Sequence, residues 1–594
     1  MGSLSVVLCR DGPPIVDSIH RMLKAAPHRG SLTQVVVRGQ AALGISNPEE
    51  HPDATLAKRD GMAAAFVGTL DNLTETARLV RQHSATPSPR TPASILLDAF
   101  RELGDDVPRV LRGAFAAVVT DGSTLWCFRD HVGWGQTFYR DEPRCFYAAT
   151  EAKQVVAGSG ISKEPDVEVV ERIFYGDYEP EMSGGLRGVR RVARATVLSV
   201  GRDGLRRRRY WEPEGLLETA RLTPDEVKSR FDELMSQAVA RTLSGSDVVS
   251  LSGGIDSPAV ASYAAPIHLQ MSGHPIGALS AFFPAYPDVD ESRYIKVVCK
   301  HLEIPLHSYE PSAGVLDGLE KWISLCDGPL PELPPGEVEE HYCRARALGY
   351  RTVLTGEQAE VVFDMRRYLI PHLFYARRFS ALSRQIGGQL SRRVPVGAIV
   401  RQLALAFMPR PLIALNRRLG ASRNQQVPPW LDARRVGDPP ARFAVDGRDL
   451  WREEQLALVR ATGIGLDASE MLQAVCGVRE RRPWTDVDLY EFFLSLPAEV
   501  KYPDVRPKTL VRNLLRGTVH DTILDRRQKT SFSDRYLDQI DYESLRRWLS
   551  QPAYRITGID YKVLEERLAH GSFNPAEYKW AIDLAKSQLF LAQW

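Results

Sequence analysis

Val249-Ser250-Leu251-Ser252-Gly253-Gly254-Ile255-Asp256-Ser257 is the stretch on which the reading of this chain turns. An apolar run of strand length enters a Ser-Gly-Gly turn, and Ala259, Val260, Tyr263 and Ala264 continue at helical spacing. Two glycines let a backbone approach a ligand closely. The helix start that follows offers free N–H groups and the positive end of a dipole. Leu251, Ser252, Gly253, Gly254, Ile255, Asp256 and Ser257 therefore form a candidate phosphate-binding stretch. Ser252 and Ser257 supply hydroxyls, and the Asp256 carboxylate can hold a magnesium ion on the phosphates. No lysine follows the glycines, so the turn is not a Walker A loop.

Around this turn, helical patterns alternate with short buried runs: Val248–Leu251, Ile276–Phe283 and Arg351–Leu354. That alternation predicts a parallel sheet flanked by helices. Upstream the composition differs. Val35–Val37, Ala63–Val67, Ala114–Val119 and Leu125–Phe128 read as short strands, and Thr91–Leu103 carries Ile95, Leu96, Ala99 and Leu103 on one helical face. The expected boundary falls near 210–220, after Arg206-Arg207-Arg208-Arg209. That basic run reads as a strand end or hairpin arm in solvent.

The stretch from Arg366 to Arg435 carries fourteen arginines against one acid, Asp432, with Leu369, Leu373, Phe374, Leu403, Leu405 and Phe407 interleaved at helical spacing. Two readings stay open. It is either an amphipathic helical insertion whose arginines extend into water, or a basic surface that attracts an acidic peptide, partner or phosphate.

The whole chain has 594 residues, 44% of them hydrophobic and 25% charged, which excludes a disordered or collagen-like protein and implies at least two domains. Lys+Arg number 76 against 74 Asp+Glu, so no nucleic-acid partner is expected. Seven cysteines with no CxxC pair suggest free thiols, no disulfide framework and a reducing cytoplasmic setting. No secretory signal is visible. The most apolar segment, 394–415, is broken by Arg401, Pro409, Arg410 and Pro411, so no membrane span is expected.

Ser252-Gly253-Gly254-Ile255-Asp256-Ser257 resembles the pyrophosphate loop of the N-type ATP pyrophosphatases in its asparagine-synthetase version. Leu279-Ser280-Ala281-Phe282, Asp290-Glu291, Asp327-Gly328-Pro329 and Leu354-Thr355-Gly356-Glu357-Gln358-Ala359-Glu360 resemble further landmarks of that family, in its order. So do Arg481-Arg482-Pro483-Trp484-Thr485-Asp486, Leu494-Ser495-Leu496-Pro497 with Lys501, and Arg527-Gln528-Lys529-Thr530-Ser531-Phe532. The resemblance implies ATP and Mg2+ as cofactors, with Ser280 and Gly356 joining the 251–257 stretch at ATP, Asp256 and Glu360 holding the metal, and Lys529 and Glu357 in catalytic roles. Three departures stand out. Gln358 replaces a glycine, Glu360 replaces an aspartate, and Arg479 stands where the family has an acid, with Glu480 one place off.

The first two hundred residues resemble a class II glutamine amidotransferase domain through His28-Arg29-Gly30, Val67–Leu73, Gly113–Ala116 and Arg129-Asp130-His131-Val132-Gly133. The expected architecture is thus α/β with two domains. Residues 1–212 form an Ntn-type αββα sandwich, and 213–594 form the parallel-sheet ligase domain, with a basic helical insertion at 366–450. Such glutaminases use an N-terminal cysteine whose α-amino group is the base. Gly2 and Ser3 follow Met1 here and Cys9 lies inside a strand run, so ammonia from glutamine is not expected. The nucleophile would then be an amine of the substrate itself, as in β-lactam, carbapenam and lasso-peptide macrolactam synthetases. About a hundred residues between Phe363 and Glu470, and Glu rather than Tyr at 357, favour the lasso-peptide type. It would close an isopeptide ring in a leader-free core peptide and work beside a leader peptidase and a leader-binding protein. The alternatives are a β-lactam synthetase type, an ammonia-using asparagine synthetase, or a degenerate scaffold without catalysis.

Overall fold

The computed structural model describes all residues except 51, 82–90, 180, 183, 330–335, 408–426, 437–449, 461–464, 527–529, 531–534, 536–537 and 571–572. The N-terminal half holds strands β1 (Ser3–Cys9), β2 (Leu32–Arg38), β3 (Ala41–Asn47), β4 (Ala54–Arg59), β5 (Met62–Gly68), β6 (Phe115–Thr120), β7 (Leu125–Arg129), β8 (Phe138–Asp141), β9 (Cys145–Ala149), β10 (Arg190–Arg191), β11 (Thr196–Gly201) and β12 (Gly204–Arg209). They form two antiparallel sheets, ordered β10-β8-β9-β1-β3-β2 and β12-β11-β7-β6-β5-β4.

Alternation along each strand builds the layers. Leu4, Val6 and Leu8 of β1 meet Ala63, Ala65 and Val118 of the other sheet. Val7 and Cys9 face the opposite way, onto Ile19, Met22 and Leu23 of the helix Val16–Lys24. On the second sheet Ala64, Phe66 and Ala117 face Leu96 and Phe100 of the helix Pro92–Leu103. The result is helix, sheet, sheet, helix, as the sequence predicts. Thr91 starts the last helix through a reciprocal capping box with Ser94, with Pro92 in the first turn. The four arginines lie on β12, an edge strand hairpinned to β11, where their charges discourage edge-to-edge pairing.

One expectation is corrected. Cys9 and Cys145 form a disulfide, with Cα atoms 4.2 Å apart. They are register partners on β1 and β9, a neighbourhood that 136 positions of sequence separation hid. The other five cysteines are free.

The C-terminal half contributes β13 (Asp247–Ser250), β14 (Gly277–Ala281), β15 (Leu306–Tyr309), β16 (Thr352–Leu354) and β17 (Arg479–Arg481), all parallel, in the order β15-β14-β13-β16-β17. Val249, Ala278 and Leu354 pack to one face, while Val248, Leu279 and Val353 pack to the other. Strands buried on both sides explain the unbroken apolar runs. Strand order reverses between β13 and β16, and ligands of doubly wound sheets bind outside the carboxyl ends at such a point.

Within the insertion, helices Leu369–Tyr375, Phe379–Ser391 and Val396–Phe407 pack beside Trp451 and Tyr502. Leu369 and Leu373 are buried there, whereas Tyr375, Phe379, Val396 and Phe407 are exposed beside the exposed Arg377, Arg384 and Arg393. Among the described residues no helix is long and apolar enough to cross a membrane.

Candidate active site

The turn after β13 is shaped by its own side chains. Leu251 N–H donates to the Leu279 carbonyl at 3.0 Å, extending the ladder with β14. Ser257 Oγ accepts from Ser252 N–H at 2.9 Å, and Ser252 Oγ accepts from Gly254 N–H at 3.3 Å. Ile255 is buried beneath the turn, and the helix Asp256–Ser272 starts immediately after it. From outside, the Glu291 carboxylate accepts from Gly253 N–H at 2.8 Å, and Arg526 donates to the Gly253 carbonyl at 2.6 Å while pairing with Glu291 at 2.7 Å. Ser280, next to last in β14, is buried, with its hydroxyl on the Ala281 carbonyl.

Gly356, in the loop after β16, closes on this turn from the other side of the switch point. A Cβ placed on it would lie 2.5 Å from Ser257 N and 2.7 Å from Asp256 C, both backbone atoms that cannot swing away. Gly356→Ala is therefore expected to part the two loops. Overpacking of this kind costs on the order of 1–3 kcal/mol, and ATP affinity should fall at least tenfold. Thermal unfolding and calorimetric ATP titration read both effects; unchanged values in both would contradict the close approach. Gln358, where the family pattern has glycine, sits at φ 63°, the left-handed region that glycine enters freely. The departure thus keeps the backbone shape at a conformational cost.

Asp256 and Glu360 stand in the first turns of the two helices that begin at the switch point, Asp256–Ser272 and Ala359–Phe363. Among the described residues no group of three or more His, Cys, Asp or Glu forms a metal cluster. Magnesium commonly needs only one or two carboxylates with phosphate oxygens completing its shell, so this hard-oxygen pair fits it. Asp256 is also held from two sides. Lys508 Nζ donates to its carboxylate at 2.5 Å, and the buried Trp484 donates through Nε1 to its carbonyl at 3.1 Å. Sequence reasoning passes over Lys508, since a lysine ahead of a short helix carries no signal of its own. Lys501, the lysine quoted with the Leu-Ser-Leu-Pro motif, instead lies buried against Gln455 and Trp451, where burial lowers its ammonium to about 7.

Lys529 lies outside the described residues. Arg526 and Thr530 on either side of it are joined by a side-chain hydrogen bond next to the Gly253 carbonyl.

Glu357 is 59% exposed and accepts from Arg482 Nε at 3.1 Å. Arg482 also reaches Glu480 and, at 2.8 Å, Ser469 Oγ. Burial pushes the Glu480 carboxyl up against the lowering by Arg482, with Glu357 adding to the rise. Alternation along β17 sends its neighbours the other way: Arg479 pairs with Asp53 at 2.7 Å and Arg481 with Asp71 at 2.5 Å, both in the N-terminal half. The arginine at 479 thus serves the seam between the halves. Asp327-Gly328-Pro329 does the same, with the Asp327 carboxylate 3.5 Å from Lys153 Nζ and 3.3 Å from Lys163 Nζ. Between the halves lies a cavity of about 60 Å3, reached by Met1, Thr69, Trp134, Glu470 and Arg482; no cysteine or serine lines it among the described residues. The Ser3 hydroxyl is buried on Ser46 Oγ at 2.7 Å.

An αββα sandwich joined to a parallel-sheet domain, with a Ser-Gly-Gly turn at its switch point, defines a two-domain ATP-dependent ligase of the amidotransferase-linked class. The asparagine synthase profile matches residues 230–584 and the glutamine amidotransferase domain profile residues 5–211, and the chain belongs to the asparagine synthase family. It is an AMP-forming amide ligase that uses ATP with Mg2+. Asparagine synthetase [glutamine-hydrolyzing] 3 of Bacillus subtilis (strain 168) is 24% identical over 517 residues, which cover 83% of this chain and 79% of the relative. Carboxyethyl-arginine beta-lactam-synthase of Streptomyces clavuligerus is 28% identical over 248 residues, 40% of this chain and 45% of that one.

Proposed function

We propose that this ligase is a lasso-peptide cyclase, which activates an Asp or Glu side chain of a leader-free peptide and joins it to the peptide's own α-amine. What supports the reading is a Ser-Gly-Gly turn at the switch point, with Asp256 and Glu360 on the helices that begin there, and an interdomain cavity whose described lining holds no thiol. On this reading the amine arrives with the substrate rather than from glutamine. The exposed aromatic and basic faces of the insertion suit a peptide better than a small amino acid.

In the chemistry proposed, a substrate carboxylate oxygen attacks the α-phosphorus of ATP and pyrophosphate leaves, giving an acyl-adenylate. The amine nitrogen then attacks the acyl carbon. The carbon–oxygen bond to AMP breaks, and the ammonium proton passes to the Glu357 carboxylate. In this reading the 251–257 stretch would hold the phosphates through the N–H groups at the start of its helix and the Ser252 and Ser257 hydroxyls, with Lys508 and Lys529 as the cations. Asp256 and Glu360 would hold Mg2+, which would supply positive charge for the departing pyrophosphate. Folding one flexible molecule for attack makes the second step effectively unimolecular.

With ATP, Mg2+ and a leader-free peptide bearing a free N-terminus and an Asp or Glu about seven to nine residues along, the enzyme should release AMP and pyrophosphate, and the peptide should lose one water. An α-amino group with a pKa near 8 is partly neutral at mildly basic pH and can attack. N-acetylation should stop ring closure, and replacing the acceptor acid by its amide should stop adenylation as well. Glutamine should not serve as an ammonia source. Amidation of free aspartate by ammonia, with peptides ignored, would replace this reading with an ammonia-fed asparagine synthetase.

A further inference from the structure

The loop Asp130–Gly135 belongs to the N-terminal half, yet it ends on the ligase site. The buried Asp130 carboxylate accepts from the N–H groups of Gly133 at 2.7 Å, Trp134 at 3.1 Å and Gly135 at 2.6 Å. Beneath it the Arg129 guanidinium donates to the Gly133 carbonyl at 2.6 Å and the Gly135 carbonyl at 2.8 Å. The loop backbone is thereby satisfied from within, and Trp134 stands on a rigid base. Its indole N–H crosses to Thr485 Oγ at 3.1 Å, and the Arg482 guanidinium lies 3.9 Å from its ring centre. Arg482 is only 6% exposed, so little water screens the cation–π contact.

An arginine side chain has many rotamers. Here the Trp134 face, Ser469, Glu480 and Glu357 leave Arg482 one position, and Arg482 is what orients the otherwise exposed Glu357. Two carboxylates share this single guanidinium. Glu357 takes the guanidinium through Nε while Glu480 takes it through a terminal nitrogen, so the fork is fixed from two directions. Tyr342, on the helix Gly336–Ala347, also faces these carboxylates.

We propose that the amidotransferase-like half is retained as a wall of the ligase site: Trp134 and Glu480 are positioning residues that hold Arg482, and through it Glu357, oriented for the attacking amine. The inference rests on the reading of Glu357 as the proton acceptor.

The test uses the full chain with ATP, Mg2+ and a nine-residue peptide carrying a free N-terminus and a glutamate at position eight. Trp134→Ala should slow amide formation at least tenfold in kcat while pyrophosphate exchange and the KM for ATP stay within twofold, and Trp134→Phe should recover most of the rate. Glu480→Gln should likewise slow amide formation in kcat while pyrophosphate exchange and the KM for ATP stay within twofold; proportional loss of both would overturn its positioning role. Proportional loss of exchange and amide formation in Trp134→Ala, no loss of either, or Phe no better than Ala would overturn the proposal. Crystals of Trp134→Ala, read without any turnover, should show Arg482 displaced from Glu357; an unchanged contact would overturn it too. Glu357→Gln separates the two layers. If it is inactive while Trp134→Ala is unaffected, only the wall proposal falls; if it is fully active, the proton-acceptor reading falls and takes the proposal with it.

Discussion

Asp256→Ala should lower ATP–pyrophosphate exchange about a thousandfold while the protein stays folded. Asp256 is the carboxylate in the first turn of the helix that opens at the switch point. A metal ion's charge stabilisation on phosphates is worth several kcal/mol, and each 1.36 kcal/mol is tenfold in rate, so losing about 4 kcal/mol gives the expected factor. The substitution also strips Lys508 of its carboxylate partner. Asp256→Asn, which keeps the shape, and Lys508→Met, which removes the stranded charge, separate that local effect from loss of the metal ligand. Circular dichroism and thermal unfolding of each variant check the fold. Exchange retained within tenfold of the parent would remove the assignment of this turn to ATP.

Lys529→Ala should leave ATP binding within about threefold yet slow turnover by about a hundred- to a thousandfold, the usual cost of one preorganised donor at a developing charge. The expectation comes from the Arg-x-Lys-x-x-Phe resemblance. Its support is that Arg526 clamps the Gly253 carbonyl of the Ser-Gly-Gly turn and bonds Thr530. Equal falls in kcat and kcat/KM would mark an interaction made in the transition state. A change confined to KM would reduce the lysine to a binding group.

The turn at 251–257 is legible in the sequence because every part of it is local: a strand-length apolar run, two glycines and a helical period. Individual strands of the αββα sandwich are legible for the same reason. The supports of the site are not. Glu291 and Arg526 grip Gly253 from 38 and 273 positions away. Lys508 meets Asp256 across 252 positions, and Trp134 reaches Thr485 across 351. On β17 the acid stands one residue away from the family position. The pleat shows why: Glu480 and Arg482 share one face and turn to Glu357, while Arg479 and Arg481 turn to the N-terminal half.

By itself, then, the sequence determined several strands, among them 63–67, 114–119 and 125–128, the helix over 91–103, where the Ser-Gly-Gly turn falls, and, by resemblance, which family's chemistry the chain carries. The segments and the turn follow from backbone dihedral preferences and hydrophobic periodicity, which act over a few residues, while the family is read from the resemblance of its motifs in order. Only the tertiary structure decided that β13 and β16 are neighbours, that Cys9 faces Cys145, that Lys508 rather than Lys501 meets Asp256, and that Trp134 lies under Arg482. Those pairings are selected when apolar faces are buried and charges find partners in the folded chain, and neither condition leaves a mark in linear spacing.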